Sequence, residues 1–400
     1  QDDVLNYAIR IPLPVSSDMK YRYVRLNTSS AYEYTSRQEQ VRFRLARING
    51  PEIIDDIITT WVDQPYTGPA GRISGQVLDN ETQAPIPNLL ISAGGMQALS
   101  ASDGSFMLDG LVPGVHNLVI YSMDGMYHTF QQGALIAENA NTPVHVQLTR
   151  RETTEVTFEV STPFGLNVSQ PLRFVSNLLP LGNAYADLSA GSAGSAVNYP
   201  AMEKITSSRY SIKLEIPIGF HLRYKYSFGD GFWNAELNNE GNFVVRDLLI
   251  EDGLFVKDKI KTFTANGSKP VKLMVQAPPG TPQQEGVFIQ FNPFGWMEPL
   301  PMVASGENQW QFTIFNPLHF FDSIEYRYCR NGQCDIAAED FSTARRFTPL
   351  NKQQLIQDTI GSWENLENYT SDTTDFLTLE SVPPRPGFIA GIEFVPGKPA

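Results

Sequence analysis

The sequence predicts an all-β protein built from several small sandwich domains in tandem, and three observations carry that reading. The chain has 400 residues, which at roughly 100–200 residues per domain is too long for one core. Charged residues make up 18% against 42% hydrophobic, with 30 Gly and 28 Pro, so the chain buries apolar surface yet turns often. Above all, its apolar residues alternate with polar ones at period two, the mark of strands with one face in a core and one in water.

That alternation repeats. Tyr210-Ser-Ile212-Lys-Leu214-Glu-Ile216 is followed by Leu222-Arg-Tyr224-Lys-Tyr226. Trp310-Gln-Phe312-Thr-Ile314 is followed by Glu325-Tyr326-Arg327-Tyr328, and Tyr7-Ala-Ile9-Arg-Ile11 by Tyr21-Arg22-Tyr23. A third segment fixes the register of the copies. Asp56-Ile-Ile-Thr-Thr-Trp61, Asp258-Lys-Ile-Lys-Thr-Phe263 and Asp358-Thr-Ile-Gly-Ser-Trp363 share Asp-x-Ile-x-Thr/Ser-aromatic. Their aromatics follow the first tyrosine by 40, 39 and 37 residues, as expected of one module copied three times.

Two leading strands precede this pattern in the later copies. They are Val156-Thr-Phe158-Glu-Val160 with Phe174-Val-Ser, and Val271-Lys-Leu273-Met-Val275 with Val287-Phe288-Ile-Gln-Phe291. These copies span residues 151–268 and 269–370. The first copy, 1–66, starts at the strand of Tyr7, Ile9 and Ile11 without leading strands, whereas residues 371–400 read as two leading strands with nothing after them. Their apolar positions are Phe376, Leu377 and Leu379, then Phe388, Ile389, Ile392, Phe394 and Val395. Together the two fragments make about one copy. Charge fits weakly: residues 1–50 carry eight Lys/Arg and five Asp/Glu, residues 364–400 two and six. Half a sandwich leaves an apolar face and an open sheet edge. The expectation is that 371–400 of one chain completes the first copy of the next, through acceptor residues Tyr7, Ile9, Ile11, Tyr21 and Tyr23, giving a head-to-tail homopolymer. The alternative is a piece cut from a longer chain, and a giant polypeptide with this unit in tandem satisfies both.

The order of the copies, with Leu181-Gly182-Asn183 or Phe294-Gly295-Trp296 after the leading strands and then Tyr-Lys/Arg-Tyr, resembles the starch-binding family of carbohydrate-binding modules. That resemblance covers about 300 of the 400 residues. It implies immunoglobulin-like sandwiches with a sugar site of two stacked tryptophans, one after the Leu-Gly-Asn turn and one just before a Glu. No copy holds the pair: Ala184 takes the first place and Ala235 precedes Glu236 in one, while Trp296 takes the first place and Ala338 precedes Glu339 in another. The split copy offers Tyr32 before Glu33. Trp233, Trp296 and Tyr32 are therefore the sugar-platform residues to examine, each also readable as packing. Trp61, Trp310 and Trp363 read as core.

Residues 70–150 differ. Gly71-Arg-Ile-Ser-Gly75-Gln-Val77, Asp103-Gly104-Ser105-Phe106 and Gly110-Leu111-Val-Pro113-Gly114 resemble the carboxypeptidase regulatory-like domain. This implies a seven-stranded, transthyretin-like sandwich with no activity of its own, so the whole reads as immunoglobulin-like and transthyretin-like domains, beads on a string. Independently of the resemblance, Asp103-Gly104 supplies the positive φ a hairpin turn needs.

Chemistry is hard to find. The five histidines, His116, His128, His145, His221 and His319, are scattered, with none beside a plausible nucleophile or at metal-ligand spacing. No enzyme activity, cofactor or metal is expected. A net charge of −13 argues against nucleic acid and anionic membrane, which need a basic face, and no apolar run reaches the ~18 residues of a membrane span. Cys329-Arg-Asn331-Gly332-Gln-Cys334 places Asn-Gly at a two-residue turn and Cys329 opposite Cys334, close enough for a disulfide. That bond, with Gln rather than Met at position 1, points to a secreted or cell-surface protein. The sequence favours a non-catalytic extracellular structural subunit held together by strand complementation. Its rivals are a carbohydrate-binding array with polysaccharide as partner, and the N-terminal accessory region of a secreted glycoside hydrolase.

Overall fold

The computed structural model describes residues 6–26, 30–166, 168–182, 195–264, 268–293, 295–317, 322–340 and 344–366. The chain divides into two compact units, one mostly of residues up to Thr154 with 216–221 and 249–251, the other of the remainder.

Within the second unit, the third copy shows the complete module. Val271–Gln276 points Val271, Leu273 and Val275 inward, all at most 1% exposed. It lies between Gln309–Ile314, antiparallel, and Gln354–Thr359, parallel, with Val303–Gly306 outside the former. The opposing sheet runs Leu300–Pro301, Val287–Phe291, Ile324–Arg330, Arg345–Phe347. The two sheets enclose one apolar cluster in which Phe291, Trp310, Phe312, Tyr326 and Trp363 are buried. The second copy repeats this order: Glu203–Lys204, Arg209–Pro217, Thr153–Ser161, Phe255–Lys259 in one sheet, and Arg173–Ser176, His221–Ser227, Arg246–Leu249 in the other. In both, the first leading strand occupies the middle of its sheet.

Residues 71–148 of the first unit form a sandwich of seven strands. Phe130–Ile136, Gly114–Tyr121, Leu90–Ala93 and Met96–Leu99 make one sheet; Asn141–Leu148, Gly71–Asp79 and Ser105–Leu111 make the other. Gly104 turns the chain at φ 75° before Ser105, as Asp-Gly predicts. The chain is thus a tandem array of β-sandwich modules.

The first copy differs from expectation at its beginning. Tyr7-Ala-Ile9-Arg-Ile11 forms no strand, and Tyr7, Ile9 and Ile11 are 88%, 79% and 55% exposed; their counterparts Trp310, Phe312 and Ile314 are 3%, 1% and 1% exposed. A strand needs a ladder partner for its backbone, and among the described residues the segment 7–11 has none of the kind that Gln309–Ile314 has in Val271–Gln276. What remains is Ser17–Tyr21 paired with Arg44–Ile48, and Val24–Leu26, Ser30–Tyr34 and Thr60–Trp61. All five residues of Arg44–Ile48 are buried, because the seven-stranded module supports this strand. The Gln131 side chain accepts from the Arg47 N–H at 2.7 Å and donates to the Arg47 carbonyl at 3.2 Å. Asn117 donates to the Leu45 carbonyl at 3.3 Å, and Gln97 to that of Phe43 at 3.0 Å.

The disulfide between Cys329 and Cys334 is present, with Cα atoms 4.9 Å apart. Asn331 and Gly332 both take positive φ, 51° and 68°. The ladder partner of Cys329, however, is Ala338 and not Cys334. After the turn the chain closes a helical loop through the Ala337 N–H to the Gln333 carbonyl at 2.8 Å, which removes Cys334 from the hairpin register.

Candidate assembly site

Each copy is closed by the same polar lock. In the third, the Tyr326 and Tyr328 hydroxyls both donate to one Asp358 oxygen at 2.8 Å. Arg345 bridges the other Asp358 oxygen at 3.0 Å and Glu339 at 2.8 Å, and Glu339 accepts the Tyr328 N–H at 3.1 Å. In the second copy the corresponding members are Tyr224, Tyr226, Asp258, Arg246 and Glu236; the hydroxyls reach Asp258 at 2.9 and 2.8 Å, and Arg246 reaches Glu236 at 2.9 Å. In the first they are Tyr21, Tyr23, Asp56, Arg44 and Glu33, with hydroxyl distances of 2.6 and 3.0 Å and Arg44 on Glu33 at 2.8 Å.

The electrostatics follow from burial. Desolvation, then the Asp56 carboxylate, pushes the Tyr23 phenol up to about 12, and Tyr21, Tyr224, Tyr226, Tyr326 and Tyr328 are raised for the same two reasons. Every phenol is a donor across the accessible pH range. Burial works against the charge of Arg44, but its hydrogen bonds and attraction to Glu33 outweigh this and raise it above its ordinary value; Arg246 and Arg345 behave alike. The phenols and arginines of the array thus keep their protons.

Every member of the lock lies after the leading strands in sequence, so the first copy owns a complete lock while lacking those strands. Beside it lies a groove of about 600 Å³ whose lining includes Ile9, Ile11 and Val15 from one segment and Glu52 and Ile54 from another, together with Tyr21, Tyr23 and Ile48. In the third copy the equivalent walls, Gln309–Ile314 and Gln354–Thr359, hold the leading strand Val271–Gln276 between them. Of the residues expected as acceptors, Ile9, Ile11, Tyr21 and Tyr23 line this groove, whereas Tyr7 is 88% exposed and is not among its lining residues. The donor residues Phe376, Leu377, Leu379, Phe388, Ile389, Ile392, Phe394 and Val395 lie outside the described residues.

The aromatic residues read as sugar platforms part company. Trp233 is 1% exposed, which corrects its reading as a platform: the loop Asp230–Asn234 drives it into the core of the third copy, its ring 4.8 Å from that of Phe291. Trp296 is 37% exposed with the Arg327 guanidinium 4.4 Å over its ring. Tyr32 is half-buried with Arg22 stacked at 4.5 Å. Trp310 and Trp363 are core, and Trp61 is half-buried. Among the described residues, no three His, Cys, Asp or Glu side chains gather as metal ligands, and no helix is long and apolar enough to cross a membrane.

The lock arginines escaped the sequence reading. Arg44 and Arg345 precede their aspartates by 12 and 13 residues, and Arg246 precedes Asp258 by 12, so a signal existed. It was masked by the glutamate, which precedes its arginine by 11, 10 and 6 residues.

No family model and no curated protein matches the chain. Among solved structures it is similar to the Bacillus anthracis TIE protein, at 11% identity and TM-score 0.20, over 86% of this chain and 58% of that one. It is also similar to a minor pilin of Streptococcus agalactiae, at 10% identity and TM-score 0.26 over 48% and 94%. A third is a Bacteroides uniformis protein described as carbohydrate-binding, at 11% identity and TM-score 0.19 over 46% and 100%. The chain spans little more than half the length of the TIE protein and 53% of a group B streptococcal pilus backbone protein.

Proposed function

We propose that this is a non-catalytic structural protein of the cell surface or extracellular space whose copies join head to tail, residues 371–400 of one supplying the leading strands of residues 1–66 in the next. One observation supports the reading: beside the complete lock of the first copy, Ile9, Ile11, Tyr21, Tyr23 and Ile54 line a groove of about 600 Å³. Transferring the third-copy register, an incoming strand runs antiparallel to residues 7–11 and parallel to 52–56. Its inward side chains meet Ile11, Ile9 and Tyr7 on one side and Glu52, Ile54 and Asp56 on the other. Covering Tyr7, Ile9 and Ile11 is worth about 1.5–3 kcal/mol for each side chain. The occupant is residues 371–400 because these carry the two-strand apolar pattern and the opposite charge balance to residues 1–50. The disulfide favours an oxidising compartment.

The test is sedimentation of the full chain against a chain ending at residue 370. Concentration-dependent oligomers that vanish on truncation, and that a synthetic 371–400 peptide in excess dissolves, support the proposal; oligomers that survive truncation overturn it. A second reading, polysaccharide binding at Trp296, draws on the partial exposure of that ring and the family resemblance. It expects α-glucan to retard the protein in affinity electrophoresis, with the retardation lost in Trp296→Ala.

A further inference from the structure

A loop of the second copy anchors its junction with the third, and the third copy carries the same loop with its apolar residue exposed. In the second copy the residue three before the lock glutamate is Trp233. It enters the apolar cluster of the third copy beside Phe291. The next residue, Asn234, donates to the Thr313 carbonyl at 2.6 Å and accepts the Phe315 N–H at 2.9 Å. Gln170 donates to the same Thr313 carbonyl at 2.8 Å. A knob with a polar clamp beside it thus fixes one copy to the start of the next.

Three before Glu339 stands Ile336. Its loop is ordered by the Ile336 N–H to the Gln333 carbonyl at 3.2 Å and by Asn365, which donates to the Ile336 carbonyl at 2.8 Å. The Cys329–Cys334 disulfide closes the same loop. Yet Ile336 is 52% exposed, an apolar side chain held in water on a stiff loop. In the first copy, which is followed by the seven-stranded module rather than by another copy, the same place is Ser30. The knob is apolar only in the copies that a further copy, whole or composite, would follow.

We infer that Ile336 is a second docking element, seating on the N-terminal half-module of a neighbouring chain as Trp233 seats on the third copy. This rests on the head-to-tail reading, which makes the composite of residues 371–400 and 1–66 the next copy after the third. The seat matches in chemistry. Thr313 and Phe315 correspond to Arg10 and Pro12; Pro12 has no N–H to give, and the position of Asn234 is Ala337, which has no side-chain acceptor to receive one. Ala337 can make neither clamp bond, and Pro12 lacks one of the two backbone groups that the seat would offer, so what is left to pair is Ile336 with the exposed Ile11–Pro12 segment, which lines the groove. A buried apolar anchor at the centre of such a contact carries a large share of binding energy.

The experiment mixes two full-length variants, Ile336→Cys and Pro12→Cys, under mild oxidation. A disulfide-linked dimer formed in the mixture and in neither variant alone is the expected result. Its absence overturns the inference whatever else the chains do, as does a dimer formed by Ile336→Cys with itself. A second variant separates this failure from failure of strand complementation. Ile336→Asp should raise the concentration for half-assembly about tenfold, equivalent to about 1.4 kcal/mol, while the 371–400 peptide still binds the chain ending at residue 370 as before. Peptide binding with unchanged assembly of Ile336→Asp leaves strand complementation standing and removes the knob; loss of peptide binding removes strand complementation itself.

Discussion

The first and third copies carry the same lock, yet the third is a closed sandwich while in the first residues 7–11 join no sheet among the described residues. In the third, Trp310, Phe312 and Ile314 are buried; in the first, Tyr7, Ile9 and Ile11 stand in water. The polar network is therefore not what buries the sheet. It fixes Tyr-x-Tyr, the strand after it and the final Asp segment into one body, and the leading strand then supplies the apolar surface that closes the core. In the proposed strand complementation, the first copy with its lock already made would bind at a lower ordering cost. Its other support is external, the hydrogen bonds that the seven-stranded module makes to Arg44–Ile48.

The sharpest way to break the comparison is to remove the arginine of each lock. Arg44→Met and Arg345→Met both strand a buried glutamate, at a cost of about 3–5 kcal/mol. In the chain ending at residue 370 the first copy, with no leading strand to compensate, should lose hydrogen-exchange protection at residues 44–48, while the third keeps protection at Val271–Gln276 and melts earlier. Equal loss in both would show that the leading strand adds nothing to the lock.

A smaller effect separates the two knob loops by pH. Asp230 is buried, and desolvation raises its carboxyl to about 7, against the hydrogen bonds from Phe232 and Trp233 N–H and the charge of Lys225. An unfolded Asp ionises near 3.8, so between that value and about 7 the native state holds the extra proton. Stability from this group is full below the lower value and is lost as pH rises through the upper one, at no more than about 1.4 kcal/mol per pH unit. Thermal melts of the second and third copies should fall from pH 4 to pH 7, and Asp230→Asn should flatten the slope. A slope that persists in the variant would assign it elsewhere.

The smallest effect isolates the supporting module. Gln131→Leu deletes both hydrogen bonds to the Arg47 backbone and should weaken the first copy by about 1–3 kcal/mol, with the third unchanged. Exchange at residues 44–48 measures it, and protection equal to wild type would place the support in the apolar contacts and the hydrogen bonds from Asn117 and Gln97.

Much of the candidate site was legible from residue spacing: the tyrosine pairs, the aspartates and the glutamates recur at near-constant intervals. The arginines did not show, because the loop between glutamate and arginine changes length while the geometry at its ends does not. Trp233 and Ile336 share a place three before the glutamate, but nothing local says that one is buried by a neighbour and the other exposed.

The sequence by itself determined the strands and the copies, because period-two alternation and turn chemistry are local properties that survive in the order of residues. Only the tertiary structure decided that Tyr7–Ile11 is no strand without a partner, that Cys329 pairs in the ladder with Ala338, and that Trp233 is a knob rather than a sugar platform. Ladder pairing and burial depend on which segments meet across the chain, and that meeting is encoded in no single stretch of it.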